Sequence, residues 1–218
     1  MPDPTLTRHP ILRTDVWHTR IEDYAALNGA LLDEIRSHQQ QEPTPLDLSF
    51  PNCWRGVRKY AADAPLVERI NAAAFSILSD YRAEEADARE ALVADSFVTD
   101  VFYWTNINGK NALNELHNHA HAGDLAGVYY VQGTETGAIV FKSEQWSDNE
   151  HAAHIPFTAP FVFEPHDGDL ILFPSYLKHE VRPNPSARER INLAFNVTVI
   201  RKGSGPAGLT RVRREDFA

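Results

Sequence analysis

The chain has one cysteine, Cys53, among its 218 residues. A single cysteine forms no intrachain disulfide and makes no cysteine-based zinc site. In the absence of a secretory pattern it also fits a reducing cytoplasm, the expected location. Cys53 itself reads as a partly buried small side chain rather than a nucleophile. Long apolar runs are missing as well. No stretch approaches the roughly 20 residues that a membrane-spanning helix needs. The opening Met1-Pro-Asp-Pro-Thr-Leu-Thr-Arg-His-Pro10 lacks the apolar centre of a signal peptide. Positive charge is scarce too, with 21 Lys and Arg against 30 Asp and Glu and a formal net charge of -9. Nucleic-acid backbones and anionic membranes both call for basic surfaces, so neither is an expected partner. The basic run Arg211-Val-Arg-Arg214 reads as a solvated terminus.

What is present is ordinary globular material, 43% hydrophobic and 23% charged. The length suits one domain, 1–218. We expect an N-terminal strand and supporting helices over 1–94, a β core over 95–201 and a tail over 202–218. Pro10 to Trp17 reads as a short strand. Ile21, Tyr24, Leu27, Leu31, Leu32 and Ile35 recur at helical spacing over 21–37. Residues 39–52, with Pro43, Pro45 and Pro51, read as an irregular loop. Asp63-Ala-Pro65 opens a second helix, with Leu66, Ile70, Ala73, Ala74, Ile77, Leu78 and Tyr81 on one stripe. It is expected to run on through the charged stretch 82–92.

From about Ser96 the texture becomes β-branched and aromatic. Candidate strands are 97–107, the stretch after the Asn108-Gly109 turn, 126–132, 137–142, 161–164, 169–173 and 191–200. Short strands separated by turns indicate a sandwich or jelly roll, mainly β, with the helices buttressing one sheet. Trp104 is expected to pack in the core, while Trp54 and Trp146 could line a substrate mouth.

The stretch Asn114-Glu-Leu-His117-Asn-His119-Ala-His121 carries histidines at every second position. In an extended segment these would share one face, and two of them could hold one metal ion. His179 is the obvious distant third ligand. Neutral imidazole binds iron, zinc, copper and nickel. His119 and His121 make as good a pair as His117 and His119, and Asp124 and Glu115 are alternative acidic ligands. His9, His18, His38, His151, His154 and His166 read as surface residues. Eleven residues beyond His179, Arg190 opens a strand in which Ile191, Leu193, Phe195 and Val197 take one face. Arg190, Asn192, Ala194 and Asn196 take the other. Such a polar face suits a cavity holding a carboxylate, which the planar guanidinium grips with two hydrogen bonds. The competing reading leaves Arg190 in the charged turn and in solvent.

Six segments carry a resemblance: Trp104-Thr-Asn-Ile-Asn, Asn114-Glu-Leu-His117-Asn-His119, Ala126-Gly-Val-Tyr-Tyr-Val, Gly168-Asp-Leu-Ile-Leu-Phe-Pro-Ser, His179-Glu-Val-Arg-Pro-Asn and Arg190-Ile-Asn-Leu-Ala-Phe-Asn. Over roughly 95–200 the chain resembles the 2-oxoglutarate/iron(II)-dependent oxygenases, and within them a bacterial and phage group. The resemblance implies a double-stranded β-helix of the cupin-like, jelly-roll kind. It also implies iron(II) and 2-oxoglutarate as cofactors. His117, His119 and His179 fall on the metal-binding positions and Arg190 on the arginine for the far carboxylate. Tyr129, Asn106 and Asn196 become candidate cosubstrate contacts, and Ser175 and Lys178 flank the site. The implied reaction decarboxylates 2-oxoglutarate to succinate and hydroxylates an unidentified small molecule or peptide. A homodimer is left open. The chain departs from the usual pattern in one respect: His119 stands where a carboxylate is customary.

Two rivals remain. A cupin-like three-histidine metalloenzyme without 2-oxoglutarate would keep the histidines and have no use for Arg190. A non-catalytic jelly-roll binding protein would tolerate loss of the histidines.

Overall fold

The computed structural model describes residues 14–45, 52–84, 97–142 and 160–201. Strand β1 (Trp17–Arg20) precedes α1 (Tyr24–Gln41), β2 (Cys53–Gly56), a 3-10 turn (Ala61–Asp63) and α2 (Ala64–Glu84). The remainder is β: β3 (Phe97–Asn108), β4 (Asn114–His117), β5 (Leu125–Gln132), β6 (Ile139–Lys142), β7 (Phe161–Phe163), β8 (Asp169–Pro174), β9 (Lys178–Val181) and β10 (Arg190–Arg201).

These strands form two sheets. A six-stranded sheet runs β1-β8-β5-β10-β3-β2 and a four-stranded sheet runs β4-β9-β6-β7, with every pairing antiparallel. Strands adjacent in one sheet come from distant parts of the chain, which is the jelly-roll winding. The expected mainly-β architecture with helices on one sheet is what the structure has.

The helices lie on the outer face of the large sheet. Helix α1 turns Asn28, Leu31, Ile35 and His38 inward, at spacings of three and four. They meet Tyr129, Val131, Leu170, Leu172, Ile191, Leu193, Phe195 and Val197 from the sheet, and Leu66, Ile70 and Ala74 from α2. A second core, made by Ala126, Tyr130, Ile139, Phe141, Ile171, Phe173 and Leu177, fills the space between the sheets. Gly127 on β5 permits the close packing of the central strands. A Cβ there would lie 2.3 Å from the Phe195 ring and 2.4 Å from the Ile171 carbonyl oxygen.

Several expectations need correcting. The first strand is Trp17–Arg20, where pairing with β8 holds it, rather than 10–17; residues 10–13 lie outside those described. The stretch after the proline-rich loop is a strand, β2, because Cys53–Gly56 finds an open edge on β3. His38 is fully buried, not on the surface. Its Nδ1 shares a 2.9 Å hydrogen bond with Tyr60 Oη, which in turn bonds Thr105 Oγ1 at 2.9 Å. His18 and His166 are exposed as expected, while His9, His151, His154 and Trp146 lie outside the described residues. The expected extension of α2 beyond Glu84 also falls there. No helix among the described residues is long and apolar enough to cross a membrane.

Candidate metal centre

Strand β4 ends at His117, directly opposite His179 on β9. The chain then leaves the sheet, and His119 is held by its backbone N–H donating to the Ser175 carbonyl at 2.7 Å. Ser175 itself is buried. A turn follows at once, closed by the Ala122 N–H donating to the His119 carbonyl at 2.8 Å. The histidine stretch is extended only as far as this turn, so His121 points into solvent and is not one of the group.

One ring nitrogen each from His117, His119 and His179 lies within 4.8 Å of the others. The rings are 4.3 Å apart for His117 and His179, 5.1 Å for His117 and His119, and 5.2 Å for His119 and His179. In each ring Nδ1 is already engaged. It donates to the Glu115 carbonyl from His117 (2.7 Å), to Asn196 Oδ1 from His119 (2.9 Å) and to the Leu177 carbonyl from His179 (3.0 Å). These bonds fix the tautomer and leave every Nε2 with its lone pair available, the arrangement a histidine metal ligand requires.

Burial reinforces that state. His179 is 5% exposed, set edge-on against Phe173, and its pKa is pushed down to about 3. Desolvation is the main cause, followed by the His117 charge. His119 is pushed down to about 4 by burial, then by His117 and, more weakly, by the Arg55 guanidinium. Both are neutral near pH 7. The acidic alternatives stand elsewhere. The Asp124 carboxylate accepts the Val199 N–H at 2.7 Å, and Glu115 contributes its carbonyl rather than its side chain.

The large sheet supplies the opposite wall in rows. The register places Cys53, Asn108 and Arg190 on one row, and Arg55, Asn106 and Asn192 on the next, with Tyr130 beside Asn192. Trp104 and Ala194 follow, then Phe102 and Asn196. Arg55 Nε donates to Asn106 Oδ1 at 3.1 Å, and Asn106 Nδ2 donates to Asn192 Oδ1 at 3.0 Å. Trp104 is half-buried and stacks on His119 with centroids 5.6 Å apart, so it borders the centre instead of filling the core. Trp54 is on the opposite face, edge-on to His38, and lines no mouth.

Arg190 is 1% exposed and not in solvent. Its Nη1 donates to the Thr136 and Arg182 carbonyls, at 3.0 and 3.4 Å, while Nη2 has no partner. Among the described residues no carboxylate pairs with it. Desolvation holds its pKa below the usual arginine value. An unpaired buried cation is costly, so the site is built for an anionic partner. Tyr129 does not serve here. Its hydroxyl donates to Asn28 Oδ1 on α1 at 2.6 Å, on the helix side of the sheet. The alternation of β5 turns Tyr130 into the barrel instead, where it feels the Arg190 charge. Asn196 lies at the centre, but as the partner of His119 Nδ1.

Residues 102–196 match the sequence model of a family described as "Putative 2OG-Fe(II) oxygenase". This segment is therefore similar in sequence to the 2-oxoglutarate/iron(II)-dependent oxygenases. Several solved structures share its fold. A Pseudomonas putida prolyl-4-hydroxylase is 17% identical with a TM-score of 0.55, over 86% of this chain and 93% of that one. SnoK, an alpha-ketoglutarate-dependent carbocyclase from nogalamycin biosynthesis, is 11% identical with a TM-score of 0.60, over 86% and 82%. HygX from Streptomyces hygroscopicus, crystallised with nickel and 2-oxoglutarate, is 15% identical with a TM-score of 0.51, over 89% and 88%. No curated protein sequence matches the chain.

Proposed function

We propose that the protein is a 2-oxoglutarate/iron(II) oxygenase that holds its iron through His117, His119 and His179 and the far carboxylate of 2-oxoglutarate through Arg190. The observation that carries the reading is the pairing of two features in one barrel. Three convergent imidazoles have their Nδ1 atoms engaged, and a buried guanidinium has one nitrogen unpartnered. A three-histidine set is neutral, so the anionic charge comes from the cosubstrate rather than from a protein carboxylate. When bound, iron and 2-oxoglutarate supply the oxidative chemistry, with decarboxylation to succinate coupled to hydroxylation of a substrate C–H bond.

The chain's own residues bind, orient and shield. Asn196 keeps the His119 Nε2 aimed at the metal. The Phe173 edge and the surrounding apolar core keep water from His179. Tyr130 replaces Tyr129 as the tyrosine beside the cosubstrate, and Asn106 keeps Arg55 in the barrel wall. The substrate is a small molecule or peptide reaching the centre past Trp104 and Phe102, and the lone Cys53 fits a reducing cytoplasm.

Anaerobic titration of the iron(II)-loaded protein with 2-oxoglutarate tests the assignment, read through the visible metal-to-ligand charge-transfer band. Wild type should develop the band, and Arg190→Gln should need at least about tenfold more cosubstrate, the cost of a lost charge-assisted pair. Iron binding with no band at any concentration would favour the three-histidine enzyme that does not use 2-oxoglutarate.

A further inference from the structure

The described residues contain two buried polar side-chain atoms without a hydrogen-bond partner, Arg190 Nη2 and Asn108 Oδ1. They belong to directly opposed residues on β10 and β3, on the barrel-facing side of the large sheet. Arg190 is 1% exposed and Asn108 2%. An unsatisfied buried group costs about 1–3 kcal/mol, and more if charged. Two such costs on facing residues, when every other buried side-chain polar atom among the described residues has a partner, point to one missing ligand.

The surroundings hold this pair in place without satisfying it. Asn184, fully buried, donates from Nδ2 to the Asn108 carbonyl at 3.1 Å and to the Arg188 carbonyl at 2.7 Å. It thereby clamps the end of β3 to the start of β10. Asn108 Nδ2 is directed at Cys53 Sγ (3.1 Å) and Asn114 Oδ1 (3.4 Å). The two ends of a carboxamide have the same shape, so its orientation follows from its partners. With the amide turned over, Oδ1 accepts from the Cys53 thiol and, with Asn114 also turned, from the Asn114 amide. Nδ2 then becomes the unpartnered atom, on the residue paired in register with Arg190. The two unpartnered atoms are then both N–H donors, one of them charged. A carboxylate, which only accepts, satisfies both.

We infer that Asn108 is a second cosubstrate-binding residue, donating from its carboxamide to the same far carboxylate that Arg190 holds. The inference rests on the 2-oxoglutarate reading above. It makes β3, as well as β10, responsible for selecting a 2-oxo acid that carries a second carboxylate.

The test compares two probes on the anaerobic iron(II) protein. One is 2-oxoglutarate. The other is 2-oxobutyrate, the same molecule without its far carboxylate. Asn108→Leu removes the donor at nearly constant size. Asn108→Asp places a carboxylate against Arg190. In the charge-transfer titration Asn108→Leu should weaken 2-oxoglutarate about tenfold, the equivalent of one hydrogen bond to a charged group. Asn108→Asp should weaken it more, through repulsion and neutralisation of Arg190. Both variants should bind 2-oxobutyrate as wild type does. An unchanged 2-oxoglutarate affinity in Asn108→Leu overturns the inference. So does an equal loss of both probes, which would mark a merely structural role. Should Asn108→Leu fail to fold, Asn108→Asp carries the test, since it keeps the size and polarity of the side chain. Wild type that fails to prefer 2-oxoglutarate over 2-oxobutyrate would instead overturn the Arg190 assignment, so the two failures are distinguishable.

Discussion

At the scale of single residues, the centre depends as much on what the imidazoles hydrogen-bond as on where they point. His117 and His179 donate to carbonyls close in sequence, which local backbone geometry supplies without a side-chain partner. His119 depends on one side chain from the far sheet, Asn196. Removing it frees the ring to rotate and to exchange tautomers. Asn196→Ala is expected to weaken iron(II) binding about 10- to 100-fold, the usual cost of losing such a support. Asn196→Asp should restore it, because a carboxylate still accepts from Nδ1. Competition with a chromogenic iron(II) chelator measures both. Of these residues the histidines were legible from their spacing, but the choice between Tyr129 and Tyr130 was not. Strand β5 is buried on both faces, so polarity does not alternate along it and leaves no mark of which tyrosine faces the barrel. Only its pairing with β10 decides, opposing Tyr130 to Asn192.

At the scale of elements, β10 was the most legible strand because its two faces differ chemically. Leu193, Phe195 and Val197 pack against the helices, while Asn192 and Asn196 face the barrel. A consequence is that stability and chemistry separate by parity along this strand. Phe195→Ala, at a fully buried position, is expected to cost about 3–5 kcal/mol in a urea melt. Iron affinity of the folded fraction should change little, since Phe195 faces away from the histidines. A comparable loss of iron affinity in that variant would mean that the two faces are coupled. The short strands were harder to read. Strand β2 follows a proline-rich stretch, and β9 has four residues around His179. Each is strand because a neighbour offers an unpaired edge, a condition set by residues far away in the chain. Arg55, which bonds Asn106 from β2, was missed with it. The assumption of one long extended histidine segment failed for a local reason, the turn at 119–122, which removes His121 from the group.

At the scale of the whole molecule, the metal centre joins the two sheets and opposes acid. The small sheet contributes His117 and His179, and the loop leading back to the large sheet contributes His119, tied there by Asn196. Without metal, this arrangement keeps His179 neutral down to about pH 3, whereas the unfolded chain takes up a proton near pH 6.5. The folded-state value is the lower one, so the unfolded state binds more protons as pH falls below 6.5, and stability falls with it. The loss is absent above about pH 7 and continues down to the folded pKa. At pH 5 the His179 contribution is on the order of 2 kcal/mol against folding. His179→Gln, which has nothing to titrate, should therefore lose less stability than wild type between pH 7 and pH 5 in the chelator-treated protein, by about that amount. Urea melts at the two values give the comparison. Adding nickel(II), which imidazole binds without redox chemistry, should stabilise wild type by about 2.7 kcal/mol at a hundredfold excess over its Kd. The same addition should do far less for His179→Gln. If the variant and wild type fall in parallel with pH, the buried imidazole is not what makes the metal-free fold acid-sensitive. The acid response would then have to come from carboxylates such as Asp169, whose bonds to Arg20 and His18 pin β1 to the sheet and hold its pKa low despite burial.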